Sequence, residues 1–220
     1  MSNLMSMDVD EVLTTTRSVR KRLDLTRPVP LPLIKECIEI ALQAPTGGNR
    51  QLWRFLVVTD AEKRRRLSEL YAQGWRQYPA ASKSDYAQDD PRHSQLDGVL
   101  DSAQYLVDHL HEVPVHVIPC IEGRMEELSY MWTASRLGSV LPSAWSFMLA
   151  ARARGLGSSW TTLHLMYEAE AAEILGIPDE ISQCALIPVG YLLGDTLRPA
   201  ERLPVSQVTF LDTWGVSISS

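Results

Sequence analysis

The chain has 220 residues, 45% of them hydrophobic and 22% charged, with a formal net charge of −6. Length and composition fit one domain spanning residues 1–220 with a substantial core, and exclude a disordered chain. The acidic balance excludes a general nucleic-acid surface, which needs a face with Lys and Arg in excess. Cys37, Cys120 and Cys184 are an odd number, far apart among apolar neighbours and without metal spacing, so they read as reduced core residues.

The first ten residues are polar and acidic where a signal peptide is basic and then apolar, and no run of about 18 apolar residues occurs. A cytoplasmic protein without a membrane span is expected. Asp8 starts a capped helix with acids in its first turn. That helix runs into a basic stretch, Arg17, Arg20, Lys21, Arg22 and Arg27, which is unusual in an acidic chain and is either a solvated face or a phosphate pocket.

Residues 31–43 place apolar side chains at Leu33, Ile34, Cys37, Ile38, Ala41 and Leu42, the stripe of a helix packed on one side. The turn that follows, Ala44-Pro45-Thr46-Gly47-Gly48-Asn49, cannot continue the helix and tolerates positive φ, so backbone N–H groups are left for something outside their own segment. Such a turn is either an ordinary connection or a cradle for an anion or a polar ring edge. Residues 53–59 read as a strand, with burial on both faces predicted at Leu56, Val57 and Val58. Asp60 then caps a charged helix.

Residues 72–91 are the least regular stretch, carrying Gly74, Pro79 and Pro91 with Trp75, Tyr78 and Tyr86, and read as a lid over a site or a surface insertion. Helical spacing resumes over residues 94–111, and residues 113–121 read as a buried strand. A helix over residues 129–155 has no charge between Leu137 and Ala151, which implies burial on every side, in a core or against another subunit. Pro142 is expected to kink it or divide it. The Gly155-Leu156-Gly157-Ser158-Ser159-Trp160 segment lacks the third glycine of a dinucleotide fingerprint and follows a helix, which rejects a Rossmann turn. A short helix over residues 168–175 closes at Gly176, residues 184–191 form a last apolar strand, and the tail brings Phe210 and Trp214, which are expected to bury against something, a partner subunit being one candidate.

No GxSxG, HExxH, reactive cysteine context or defensible carboxylate pair is present, and the histidines are dispersed. A chain rich in core and poor in catalytic side chains fits an enzyme whose chemistry a cofactor carries.

Several segments together resemble the flavin-dependent nitroreductase family. They are Arg17-Ser18-Val19-Arg20 with Pro28-Val29-Pro30 after it, the run from Ala44 to Trp53, Gly155-Leu156-Gly157, Thr161-Thr162, and Pro188-Val189-Gly190-Tyr191 leading to Arg202. The resemblance implies an α+β fold, a central mostly antiparallel sheet flanked by helices, in an intertwined homodimer with FMN at two sites and NAD(P)H as electron donor. It implies that Arg17, Ser18 and Arg20 hold the phosphate and polar edge of FMN. Arg202, or Arg198 before it, closes on the phosphate, and the residues leave that choice open. Pro45, Thr46, Gly47 and Asn49 come from the other subunit, and Thr161 and Thr162 lie near the flavin N5. Two positions depart from the family pattern, Leu52 where proline is usual and Thr46 where serine is usual. The implied reaction passes electrons by a ping-pong route to a small flat acceptor, a nitroaromatic or a quinone. A flavin carrier or sensor without turnover, a reductive dehalogenase and a flavin-breakdown enzyme are the alternatives.

Overall fold

The computed structural model describes residues 7–78, 85–194 and 196–218. The centre of the fold is a strand, β3 (Val115–Glu122), buried along nearly its whole length. Its two faces follow the period of two that extended backbone imposes. Val115 and Val117 enter a core with Ile34, Cys37, Phe147 and Met148, while Ile118 and Cys120 enter another with Leu67, Leu106 and Leu110. The thiols are inert: burial pushes Cys37 up to about 11 and Cys120 and Cys184 to about 12.

The sheet is built by antiparallel pairing around β3, in the order β1 (Leu23–Asp24), β6 (Ile187–Leu192), β3, β2 (Trp53–Val58), with β4 (Leu156–Ser158) on β6 and β5 (Ile181–Gln183) on β3. Helices α2 (Leu31–Ala41) and α5 (Tyr130–Arg152) cover one face, while α3 (Ala61–Gln77), α4 (Pro91–His109) and α6 (Glu168–Leu175) lie with the other core. Helix α1 (Val9–Thr15) is capped by Asp8, whose carboxylate accepts the Glu11 N–H at 2.7 Å. The α+β fold with a central antiparallel sheet and flanking helices is the one expected.

Three local expectations need correction. Strand β2 packs on both cores, Leu56 and Val58 on one and Phe55 and Val57 on the other, but it ends the strand order beside β3, and Leu56 and Val57 are only half-buried. Residues 72–77 are not irregular, because α3 continues to Gln77, and α4 begins at Pro91 under an Asp90 cap rather than at 94. Gly74 sits inside α3 for packing, since a Cβ there would lie 2.5 Å from the Leu163 carbonyl oxygen. The reading of residues 79–84 falls outside the described residues.

Nor does Pro142 divide α5, which runs unbroken from Tyr130 to Arg152. Proline removes the bond to the carbonyl four residues earlier, here that of Gly138, which lies on the exposed side of the helix. The uncharged helix is also not covered on every side by its own chain. Val140, Ala144, Phe147 and Ala151 are buried, whereas Met131, Trp132, Gly138 and Trp145 form an exposed face. In the tail, Phe210 and Trp214 pair with ring centroids 4.7 Å apart, and Trp214 is left 88% exposed. No helix among the described residues is long and apolar enough to cross a membrane.

Candidate functional site

The basic segment is strapped along β4 by backbone bonds. Ser18 bridges Ser158, Val19 N–H donates to the Ser158 carbonyl at 2.8 Å, and the Trp160 N–H donates to Ser18 Oγ at 3.2 Å. Val19 packs into the core, while Arg17, Ser18 and Arg20 line a cavity of about 730 Å³. Its other walls are the Gln95, Gly98 and Ser102 face of α4 and the loop over residues 196–201, which contributes Arg198.

The cations here divide by what they already hold. Lys21 pairs with Asp101, and Arg22 donates to the carbonyls of Leu193 at 2.8 Å and Thr196 at 2.7 Å. Arg17 donates to the Arg198 carbonyl at 3.4 Å, and Arg20 donates to Ser102 Oγ at 3.2 Å. Among the described residues, no carboxylate forms a salt bridge with Arg17, Arg20 or Arg198. Arg20 is half-buried, and its Nε–H is buried without an acceptor. Desolvation holds the Arg20 pKa below its ordinary value, with a further small push from Arg17. A buried guanidinium N–H without a partner is costly, and a carbonyl or anion entering the cavity removes that cost. The residues present therefore fit a group with a terminal phosphate and polar ring atoms.

A second cavity of about 350 Å³ adjoins the first and shares Arg20 and Val99 with it. Tyr71 and Trp75 of α3, Tyr78 just beyond its end, Leu96 and Leu100 of α4, and Trp160 make it largely aromatic and apolar. Tyr71 is buried, its hydroxyl pushed up to about 12 by desolvation. Thr161 and Thr162 both touch this cavity but differ in what they offer. Thr161 is buried and gives both its N–H and its hydroxyl to the Leu186 carbonyl, at 3.1 and 2.7 Å, whereas Thr162 is exposed.

The turn at residues 44–49 lies apart from both cavities. It rests on α5, where the Gly47 N–H donates to Ser139 Oγ at 3.0 Å and Ser139 donates to the Ser135 carbonyl at 2.8 Å. Gly48 and Asn49 take positive φ, as the turn chemistry predicts, and so does Gln51. Pro45, Gly47 and Asn49 are exposed and Thr46 is half-buried. Within one chain the candidates thus form two groups: Arg17, Ser18, Arg20, Thr161, Thr162 and Arg198 around the joined cavities, and Pro45, Thr46, Gly47 and Asn49 on the α5 side. Arg202 is exposed and lines neither cavity.

Sequence reasoning missed the walls that α3 and α4 supply, Tyr71, Gln95 and Ser102 above all. Tyr71 and Ser102 sit in ordinary helical positions, and no local signal marks them. Trp75, Tyr78 and Tyr86 were visible as aromatics in a polar stretch, but not as a wall. Among the described residues no cluster of three or more His, Cys, Asp or Glu could hold a metal.

The Nitroreductase family model matches residues 13–191, and the chain belongs to that family. It is an oxidoreductase-family chain with curated relatives of matching length. It is 30% identical over 217 residues to a protein named NADH dehydrogenase from Thermus thermophilus, covering 92% of this chain and 95% of that one. It is 24% identical over 226 residues to chloronitrobenzene nitroreductase from Comamonas testosteroni, covering 91% and 92%. Among solved structures, the oxidised iodotyrosine deiodinase bound to FMN and 3-iodo-L-tyrosine superposes with a TM-score of 0.68 at 20% identity, over 95% of this chain and all of that one.

Proposed function

We propose that the joined cavities bind FMN and that the protein transfers electrons from NAD(P)H to small flat aromatic acceptors, nitroaromatics or quinones, as a homodimer. The observation that carries this reading is Arg20, whose unpartnered buried Nε–H stands where a cation-lined cavity meets an aromatic one. The family, and the FMN that the deiodinase structure holds, agree with it.

When bound, FMN supplies the redox chemistry, accepting a hydride from the nicotinamide and passing electrons to the acceptor. The chain's work is orientation, charge and exclusion of water. Arg17 and Arg198 suit a terminal phosphate dianion through charge-assisted bonds, and Ser18 adds a hydroxyl. Arg202 stands next in the chain as a further cation for it. Arg20 supplies positive charge toward the polar ring edge, and Thr162 offers its backbone and hydroxyl from the opposite loop. Pro45, Thr46, Gly47 and Asn49 complete the site from the second copy, since they lie apart from the cavities in one chain. The exposed face of α5 and the apolar tail give that copy its surface, and obligate interfaces bury of order 2,000–5,000 Å².

One aromatic slot must serve the nicotinamide and then the acceptor, so turnover is ping-pong. Parallel lines in double-reciprocal plots are expected, and intersecting lines contradict the single slot. Titration of apo-protein with FMN tests the phosphate end. Arg17→Ala and Arg198→Ala are each expected to weaken FMN about 10-fold or more. An unchanged dissociation constant in both removes the basic cavity from the site.

A further inference from the structure

Two rings of the smaller cavity are tethered by polar groups that stand outside it. The Trp75 indole N–H donates to Gln104 Oε1 on α4 at 2.7 Å, and the Gln104 amide donates to Asp108 Oδ1 at 2.9 Å. Turning that amide over would lose both bonds. Trp75 also stacks on Tyr78, with centroids 6.1 Å apart and planes at 19°. Tyr86 lies under the Arg92 guanidinium, 4.7 Å from the ring centroid, and Asp90 holds Arg92 through Nε at 2.9 Å and Nη2 at 2.6 Å. A half-buried ring fixed in this way has little rotamer freedom left to lose when a ligand stacks on it.

Charge narrows what that ligand is. Among the described residues lining this cavity, Arg20 is the one charged group, and no carboxylate is present. A ligand ammonium would give up its hydration without a counter-ion and would meet a cation of like sign. A neutral ring meets only stacking and apolar surface, on which offset aromatic pairs are favourable.

We propose that Trp75 is a specificity-determining residue for the electron acceptor, with Gln104 as its positioning residue, and that the acceptor they select is a flat aromatic ring carrying no ammonium group. The proposal rests on the flavin reading of the site. It separates quinones and neutral nitroarenes from aromatic amino acids, although both present a ring of similar size.

The test uses holoenzyme photoreduced without oxygen and mixed with one of two acceptors sharing a nitrophenyl ring, neutral 4-nitrobenzyl alcohol and zwitterionic 4-nitrophenylalanine. Reoxidation is followed by flavin absorbance. The neutral ring is expected to half-saturate the wild-type protein at a concentration about 10-fold lower than the zwitterion. Trp75→Ala raises the half-saturating concentration of the neutral ring about 10-fold and narrows the gap between the two, with flavin retained. Trp75→Phe restores most of the loss. Gln104→Leu raises half-saturation about 3-fold with the limiting rate unchanged, a split that a general structural defect would not give. Equal half-saturation by the two acceptors would overturn the proposal. So would a flavin-loaded Trp75→Ala that behaves as wild type, and if that variant does not fold, an unchanged Gln104→Leu serves the same purpose. The absorbance spectrum taken before mixing separates the two levels: protein that holds no flavin overturns the flavin reading and this proposal with it, whereas flavin-loaded protein without acceptor preference overturns the proposal alone.

Discussion

Ser18 Oγ accepts the backbone N–H of Trp160 at 3.2 Å, so one hydroxyl ties the basic segment to the loop that carries Thr161 and Thr162. Residues 142 positions apart are thereby held on one wall. Ser18→Ala leaves the Trp160 N–H without its partner and frees Arg17 and Arg20 to drift from the loop. A neutral hydrogen bond of this kind contributes about 1 kcal/mol, and the expected result is FMN binding weaker by roughly 5-fold with the fold intact. Flavin fluorescence titration of the variant checks it, and unchanged affinity would show that the strap does not organise the site.

Gly138 lies on the exposed face of α5, and a Cβ added there would meet nothing within 4 Å in its own chain. Leucine at this position therefore costs a single chain little beyond surface exposure. If a second copy packs closely on this face, with Trp132 and Trp145 beside the glycine, Gly138→Leu wedges the copies apart. Sedimentation equilibrium is expected to show a dimer for the wild type and a shift toward monomer with loss of flavin for the variant. A wild-type-like dimer for Gly138→Leu would move the interface elsewhere.

Two buried histidines set an acid limit. Desolvation lowers His116 to about 3 and His164 to about 4, and neither ring is exposed. The unfolded chain takes up these protons near pH 6.5, whereas the native chain does so only near 4 and 3. Below about 6.5 the unfolded state therefore binds more protons, and stability falls as pH falls, by up to about 1.4 kcal/mol per pH unit for each ring. The loss continues to about pH 4 for His164 and about pH 3 for His116, and stability from this source is complete above about 6.5. Urea midpoints measured between pH 8 and pH 4 are expected to drop below 6.5, with a shallower drop in His164→Gln.

Glu168 holds together three segments. Its carboxylate takes Arg124 Nη1 at 3.1 Å and Nη2 at 2.6 Å and also accepts the Gln183 N–H at 3.0 Å, while the Glu168 carbonyl takes the Gln183 amide at 2.9 Å. The pair is about four-fifths shielded on the Glu168 side, so screening is partial. Glu168→Ala strands the Gln183 N–H and takes the more buried of two carboxylate partners from Arg124, which keeps Glu126 and the Ile181 carbonyl, a loss of about 2 kcal/mol. That corresponds to a fall of about 4–8 °C in Tm for a chain of this size. A scanning calorimetry trace within 1 °C of wild type, on a scale of about 2–4 °C per kcal/mol, would contradict it.

Much of the fold was legible because its cause is local. The continuous burial of β3, the α2 stripe, the Gly176 stop of α6 and the positive φ at Gly48 and Asn49 all follow from residue type and spacing. What was not legible depends on neighbours far away in the chain. Gly74 reads as a helix breaker until the Leu163 carbonyl is placed against it, and no local signal tells that the Thr161 hydroxyl donates to the Leu186 carbonyl while its neighbour Thr162 is exposed. The basic stretch was ambiguous for the same reason. Lys21 and Arg22 are occupied by Asp101 and by chain carbonyls, and only the tertiary structure separates them from Arg17 and Arg20. The site itself was named through a family resemblance, and its α3 and α4 walls carried no local signal.

The central claim is that Arg17, Arg20 and Arg198 frame a site for FMN that NAD(P)H reduces. It is tested most directly by the absorbance spectrum of the purified protein during anaerobic titration with NADH and with NADPH. The account predicts a flavin spectrum, one FMN released per chain on denaturation, and bleaching by at least one of the two nicotinamides. A colourless protein that takes up no FMN on reconstitution, or a bound flavin that neither nicotinamide bleaches, would contradict it.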